Sequence, residues 1–448
     1  MLDQSFSAQN FYTIYKQENK KGKNIIADFF PEAAAYHLKI KRVRNLISKS
    51  YSNKRSSSLP WFEIRISNLY LLLKLLKKKR NTIIMDCLNE ISCNIASKKS
   101  DFRVNKSLKK RNEKDTYQLD GTAESFFTEK QIQRNIKYTY QVKQNDRDLI
   151  IPQLKSCLNN NYPMYIIRTD IKSFYETIDR EILLTKLNKS SILSLVSRKI
   201  IAKLLHSYGV TSGEDNGIPR GLGISAYLSE LYLKEFDEKV RGISNLIFYS
   251  RYVDDIAIII SPHPTDNKEN YLQLIKGFLN DDNLSINIQK DKTALYSIPE
   301  DKYDFDYLGY KFQTNGRKLK LSISDKKKEK YINKIKQIFD KYNKSCIRTP
   351  EKSRRELLLR LNFLTSNTRL SNNKGNAIVG IFNSNKWVTD TTFLKALDGE
   401  LSKAISGINN KGLKTKLYKK YKFVNGFEKR KFVNFSSKDF SIITKGWK

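Results

Sequence analysis

The sequence predicts an α+β protein, helical at both ends and sheet-bearing in the middle. Three stretches carry this expectation. Residues Phe248 to Ile260 form two hydrophobic runs, aromatic and β-branched, that meet at Tyr252-Val253-Asp254-Asp255. Such residues favour strands, and two adjacent carboxylates fit a core poorly because unpaired buried charge is expensive. The acids therefore belong at the tip of a hairpin. Residues Trp61 to Lys79 carry Phe62, Ile66, Leu69, Leu73 and Leu76 on one helix face and end in Lys77-Lys78-Lys79-Arg80, cations suited to a helix C-terminus. Residues 318–346 are strongly basic, with Tyr331, Ile332, Ile335, Ile338 and Phe339 spaced for one buried helical face.

The remaining elements follow in chain order. Residues 1–115 read as mostly helical. A packed domain helix is preferred for Trp61 to Lys79, with a membrane-surface helix as the alternative. The basic runs Lys41 to Lys54 and Lys98 to Lys114 are either solvated loops or RNA contacts, and a domain boundary is expected within 98–120. Ile182 to Leu205 reads as one helical stretch closed by a structural His206. Tyr227 to Val240 reads as the continuation of a long helix. Ser261 to Asp266 is a loop, Asn270 to Leu279 a helix and Leu284 to Ile288 a short strand; Leu357 to Leu364 is again helical. No internal repeat is evident.

Composition narrows the function. Lys and Arg total 83 against 46 acids, a net charge of +37 over 448 residues. The excess runs through most of the chain, which implies a polyanionic partner. The 25 Tyr and 23 Phe add stacking capacity for bases, although most are expected in the core. Cys87, Cys93, Cys157 and Cys346, with His37, His206 and His263, show no zinc-ligand spacing, so free thiols are expected. No apolar run approaches the ~20 residues of a membrane span. The start Met-Leu-Asp-Gln-Ser lacks a signal peptide's apolar region. A soluble, intracellular protein without a membrane partner is the expectation.

The hairpin Tyr252-Val-Asp-Asp255 resembles the catalytic signature of reverse transcriptases, and four more stretches resemble the family's other motifs in order. Met164-Tyr-Ile-Ile-Arg-Thr-Asp170-Ile-Lys-Ser-Phe-Tyr175 looks like the first palm motif. Gly217-Ile-Pro-Arg-Gly221-Leu-Gly-Ile-Ser225 is similar to the template-and-nucleotide motif. Leu284 to Thr293 resembles the fourth motif, and Phe305-Asp-Tyr-Leu-Gly309-Tyr the primer grip. The resemblance covers residues 125 to 315 well. It implies a right-hand polymerase: a basic helical N-terminal extension (1–120), fingers and palm with an antiparallel sheet (121–315), then a helical thumb and C-terminal region (316–448).

The resemblance also implies roles. Asp170, Asp254 and Asp255 would be catalytic, holding two Mg²⁺ ions (Mn²⁺ as an alternative) with the backbone carbonyl of Ile171. Two metals suit in-line phosphoryl transfer because they stabilise both the attacking and the leaving oxygen. Lys143 and Arg147 would grip the incoming triphosphate, a planar guanidinium being suited to phosphate; an ordinary surface pair is the alternative. Tyr175 would exclude a ribose 2′-hydroxyl, or else be core. Gly217, Gly221 and Ser225 would line the nucleotide site. Arg220 stands where the family usually has Gln, which puts ordinary template handling in doubt. Lys292 would assist the leaving pyrophosphate or be structural. Tyr307, Leu308 and Gly309 would form the primer grip. Lys326, Lys327, Lys328 and Lys330 would follow a duplex backbone, or form a solvated helix face.

The expected activity is RNA-directed DNA synthesis from deoxynucleoside triphosphates, on an RNA template or non-coding RNA, with a DNA product. The form of the 217–225 motif and the C-terminal Phe423 to Trp447 resemble bacterial defence-associated reverse transcriptases, so a cytoplasmic antiviral role is expected. A partner protein or homo-oligomer stays open. Rivals are template-independent or protein-primed synthesis, an intron or retron enzyme, and a catalytically idle RNA-binding protein.

Overall fold

Residues 2–52, 59–97, 102–108, 110, 113–160, 162–189, 191–263, 265–289, 291–314, 318–370 and 377–447 are described by a computed structural model. The chain divides into two units interleaved in sequence: residues 1–143 with 175–232, and residues 144–174 with 233–448.

The first unit is largely helical. Helices Ala8–Lys20, Ile25–Phe29, Pro31–Ser52 and Leu59–Ala96 open it. The expected face on the last of these packs Phe62, Ile66 and Leu73 against Ile40, Val43 and Ile47 of Pro31–Ser52. The helix does not stop at its basic stretch but runs on to Ala96. The Lys41 run is helical as far as Ser52 rather than a loop, because Val43 and Ile47 give it a buried face; residues 53 and 54 lie outside the described residues. In the second basic run, residues 98–101, 109, 111 and 112 also lie outside them. Its described part includes strand β1 (Val104–Lys106), which pairs antiparallel with β2 (Tyr117–Leu119).

Two helical expectations need correction. The stretch from Ile182 is two helices, Arg180–Lys189 and Leu195–Ser212, because Ser194 caps the second by accepting from the Ser197 N–H. His206 does not close it; Gly213 does, in a left-handed conformation (φ 73°). The stretch from Tyr227 is also interrupted, since Leu233 separates Ser225–Tyr232 from Lys234–Arg241.

The second unit holds the main sheet. Strands β3 (Met164–Asp170), β4 (Leu246–Tyr252), β5 (Asp255–Ile260) and β6 (Ala294–Ile298) lie in the order β4-β5-β3-β6, and every pairing is antiparallel. Ile256 to Ile260 are all buried, as expected of a strand with partners on both edges. Helix Arg147–Leu158 covers the sheet through Ile150, Ile151, Leu154 and Leu158. A second antiparallel sheet comprises β7 (Asp304–Tyr307), β8 (Tyr310–Thr314) and β9 (Leu319–Ile323).

Strand β9 corrects the expectation of a continuous helix over 318–346. Leu319, Leu321 and Ile323 alternate with Lys320 and Ser322, a period of two hidden among lysines, and the helix begins only at Asp325. The expected strand at Leu284 reduces to a single bridge between Ile286 and Ile171. Helices Asp325–Ser345, Pro350–Leu364 and Thr392–Ser406 then share a core containing Ile335, Ile338, Leu357, Leu361, Leu394 and Leu397. Short strands β10 (Asn367–Arg369) and β11 (Ile378–Gly380) pair beside it. Among the described residues, no helix is long and apolar enough to cross a membrane, and the four cysteines are free thiols.

Candidate active site

The carboxylates are set by register. Asp170 ends β3 directly opposite Asp255, the first residue of β5, and Asp255 also pairs with Tyr252 at the end of β4. Val253 and Asp254 form the two-residue turn between β4 and β5. Val253 has φ 62°, costly for a β-branched side chain, and Asp254 is not left-handed. The pattern of positive φ at the first turn residue only is that of a type II′ hairpin. The Ile171 N–H donates to the Asp254 carbonyl at 3.1 Å, and the Asn287 N–H to the Asp170 carbonyl at 2.9 Å. Backbone bonds thus tie the turn, the end of β3 and the 284–293 segment together.

Cations balance these acids. Lys292 Nζ donates to Asp170 Oδ2 at 2.7 Å. That bond holds the lysine above its ordinary range, so it stays protonated at neutral pH. Buried Arg168 donates to Asp255 Oδ1 at 3.0 Å and to the carbonyls of Asp291 and Lys292. Burial, against the pull of Arg168 and with the charges of Asp254 and Asp170 adding to it, pushes the Asp255 carboxyl up to about 6. Asp170 Oδ1 is buried and has no hydrogen-bond partner. An orphaned carboxylate oxygen beside two more acids fits a hard divalent cation, which takes oxygen ligands. Among the described residues no three acids already converge at ligand spacing; Lys292 and Arg168 engage two of the carboxylates instead.

Two residues essential to this arrangement were missed by the sequence reading: Arg168 and Arg251. Arg251 is a fully buried side chain that forks onto Asp237 at 2.8 and 2.7 Å and donates to the Val253 carbonyl at 3.0 Å. The available signal was an arginine inside an apolar strand, two residues before Asp170 in one case and four before Asp255 in the other.

In the first unit, the 217–225 loop closes on the segment after Tyr175. The Ile218 N–H donates to the Tyr175 carbonyl at 2.8 Å. A Cβ on Gly217 (φ 91°) would meet that oxygen at 3.0 Å, and one on Gly221 (φ 110°) would meet the Tyr117 carbonyl at 2.8 Å, so both positions require glycine. The Arg220 guanidinium lies 5.1 Å from the centroid of the Tyr175 ring and bonds Glu176 at 2.9 Å. Lys114 bonds the same Glu176 at 3.0 Å. Ser225 is fully buried and its hydroxyl donates to the Pro219 carbonyl at 2.7 Å, so it closes the loop instead of facing a ligand.

The other expected residues lie on different segments, and of these Arg147, Gly309 and Lys327 come together beside Tyr310. Lys143 is exposed in the first unit. Arg147, at the first position of its helix in the second unit, stacks on Tyr310 at 4.9 Å. Leu308 (φ 49°) and Gly309 (φ 75°) form the β7–β8 turn, left-handed at both positions as a type I′ hairpin requires. Tyr307 is buried and its hydroxyl shares a 2.9 Å hydrogen bond with that of Ser250, which makes it a support for the turn. The four lysines do not form a uniform solvated face. Lys326 is exposed, 4.0 Å from Asp291; Lys328 is half-buried and Lys330 exposed; Lys327 turns inward and donates to the Ser384 carbonyl at 2.8 Å.

A family model described as reverse transcriptase (RNA-dependent DNA polymerase) matches residues 69–312, more than half of the chain. The chain belongs to this family. Reverse transcriptases are nucleotidyltransferases that generally use divalent metal ions. No curated protein matches the chain by sequence. Among solved structures it is similar to telomerase from Candida albicans in complex with a fragment of telomeric RNA, at 11% identity and TM-score 0.37, covering 65% of this chain and 56% of that one. It is also similar to apo telomerase from Candida tropicalis, at 11% identity and TM-score 0.34, covering 54% and 60%. The chain therefore spans less than two thirds of either relative.

Proposed function

We propose that this reverse transcriptase adds deoxynucleotides to a DNA strand copied from RNA, with Asp170, Asp254 and Asp255 as its catalytic carboxylates. The observation that carries this reading is the register of Asp170 opposite Asp255, beside the turn bearing Asp254, with Asp170 Oδ1 left unpaired. Two Mg²⁺ ions held by these acids and the Ile171 carbonyl would supply Lewis-acid stabilisation of the attacking and departing oxygens. Arg168 orients Asp255 and holds the backbone at Lys292. Lys292 carries a proton at Nζ that can neutralise the pyrophosphate oxygen as it leaves. Tyr175, stiffened by Arg220 stacked on its ring, would exclude the 2′-hydroxyl of a ribonucleotide.

The biological setting belongs to the same proposal. The 217–225 motif, with Arg220 in place of the usual Gln, supports a defence-associated bacterial enzyme acting in the cytoplasm with a dedicated non-coding RNA. The net charge of +37 supports a nucleic-acid partner.

Primer extension on an RNA template tests the assignment. Asp170→Asn or Asp254→Asn should reduce incorporation by about 10⁴-fold or more, with folding and RNA binding kept. Tyr175→Ala should lower the preference for deoxy- over ribonucleotides by about 10–100-fold. Full incorporation by a folded Asp170→Asn/Asp254→Asn double variant would refute the polymerase reading. An unchanged sugar preference in active Tyr175→Ala would place that ring in the core.

A further inference from the structure

Helix Leu59–Ala96 is apolar on two sides and covered on one. Its buried side packs Phe62, Ile66 and Leu73 against Pro31–Ser52. Round the helix from these, at about 100° per residue, Trp61, Ile64, Leu71, Leu72 and Leu75 line the other side. Trp61 is 76% exposed and the other four 44–58%, so among the described residues nothing covers them. A helix apolar all round belongs inside a larger structure, and a contiguous apolar stripe on a surface marks a missing partner. Exposed Asn68 stands in the middle of the stripe.

The spacing of the stripe identifies the partner. Counted from Asn68, Trp61 and Leu75 lie seven residues away on either side, and Ile64 and Leu72 four residues away. The pattern reads the same from both ends. A helix laid antiparallel on a copy of itself, with the two-fold axis at Asn68, therefore sets Trp61 against Leu75 of the second copy and Ile64 against Leu72, and symmetry repeats each contact. Ile64, Asn68 and Leu72 form one i±4 ridge, the kind of row by which packed helices interdigitate. An apolar partner or a lipid surface would leave the Asn68 amide unsatisfied. A second Asn68 satisfies it, each amide donating to the other's carbonyl oxygen. Charge selects the same orientation. Between residues 60 and 85 the cations Arg65, Lys74 and Lys77 to Arg80 face a single acid, Glu63, so a parallel pair would set two basic runs side by side. The antiparallel pair holds the Lys77–Arg80 runs about 30 Å apart, well beyond a Debye length.

We propose that this stripe is the interface of an antiparallel homodimer, two copies of the chain joined helix to helix across Asn68. Burying these six side chains on each copy removes on the order of 1,000 Å² from water, the lower range for a specific interface, so a dimer of micromolar affinity is expected. The interface uses none of the catalytic carboxylates, so it is tested apart from the polymerase reading.

The test uses the full chain, freed of copurifying nucleic acid by nuclease and high salt, and follows its mass by sedimentation velocity from about 1 to 50 μM. Wild type should pass from monomer to dimer over this range. Asn68→Asp, which sets two carboxylates face to face at the axis, and Leu72→Glu should each weaken the dimer at least about ten-fold. Both positions are exposed, so the variants should fold as wild type does, read by circular dichroism. Mixing Asn68→Asp with Asn68→Lys should restore a mixed dimer that neither forms alone. Orientation is read by oxidative cross-linking against the wild-type background of the native cysteines. Trp61→Cys mixed with Leu75→Cys should give a disulfide-linked pair, while neither does so alone, since like positions lie about 20 Å apart. A chain that stays monomeric to about 50 μM, or a dimer that tolerates both Asn68→Asp and Leu72→Glu, refutes the proposal. Cross-linking of each cysteine variant with itself refutes the antiparallel pairing. Flotation with vesicles of phosphatidylcholine and phosphatidylserine tests the other occupant. If Leu72→Glu abolishes vesicle binding and leaves the mass unchanged, the stripe is a lipid-binding surface and the dimer is refuted.

Discussion

The turns Val253–Asp254 and Leu308–Gly309 close two antiparallel hairpins of the same unit and differ in what holds them. The first carries a β-branched residue at φ 62° and is pinned from beneath by Arg251, whose guanidinium is clamped by Asp237. The second has glycine at one of its two left-handed positions and rests on the hydroxyl of Tyr307. Their electrostatics differ more. The acids around the first turn already have cations of the protein beside them, Lys292 and Arg168. Around the second, Arg147 and Lys327 form no ion pair among the described residues, although Asp304, Asp306 and Asp325 line the same cavity. A site whose charge the protein balances can exist before its ligand arrives and exchange one counterion for another. A site left unbalanced costs stability until an anion fills it.

The largest test of this contrast is Arg251→Met. It leaves the half-buried Asp237 with the Tyr249 hydroxyl but without its cation, and frees the Val253 carbonyl, so stability should fall by about 3–5 kcal/mol. Urea denaturation reads it, and a loss under about 1 kcal/mol would mean that the first turn stands without its anchor.

Lys327→Met should act in the opposite direction. In wild type without nucleic acid, a lysine held at about 7 is charged at a cost in the folded state below that pH. Between pH 7 and the ordinary lysine value of about 10.4, the unfolded chain binds more protons than the folded one, so stability rises with pH. The variant should therefore be more stable than wild type by about 1–3 kcal/mol at pH 6, with the advantage shrinking towards pH 10. A pH-independent difference in Tm would remove Lys327 from any buried cation cluster.

The smallest effect is expected from Val253→Gly. Relief of the left-handed conformation should outweigh the added chain entropy, for a gain of about 0.5–1 kcal/mol in urea. Incorporation should nonetheless fall, because a freer turn holds Asp254 less firmly. A loss of stability would show that the valine side chain contributes packing greater than its strain.

These turns also mark what could be read in advance. The strand ending at Asp170 and the hairpin tip at Asp254 were legible because apolar runs, a break and a carboxylate are all local signals. Arg168 and Arg251 were not, since their value lies in Asp255 and Asp237, and no local pattern announces a buried ion pair. Strand β9 was obscured by the lysines that alternate with Leu319, Leu321 and Ile323. Arg147 was picked out as a phosphate ligand from its neighbours in sequence. Its actual companions, Tyr310 and Lys327, come from well over a hundred residues downstream. The helix break at Leu233 has no glycine or proline to signal it; the buried positions change from Leu228 and Leu231 to Phe236 and Val240.

The strand order β4-β5-β3-β6 has a consequence for synthesis on the ribosome. Strand β3 is emerging from the tunnel when both its partner strands are still untranslated, and its nearest strand pairing, Asp170 with Asp255, lies 85 residues ahead (255 − 170). At about 5–20 residues per second the wait is roughly 4–17 s. During it the nascent chain displays the strand Met164-Tyr-Ile-Ile-Arg-Thr with both hydrogen-bonding edges open. Such a segment is a natural client for a chaperone. Synonymous codons that change elongation speed across residues 170–255 should alter the yield of soluble enzyme without altering one amino acid of it.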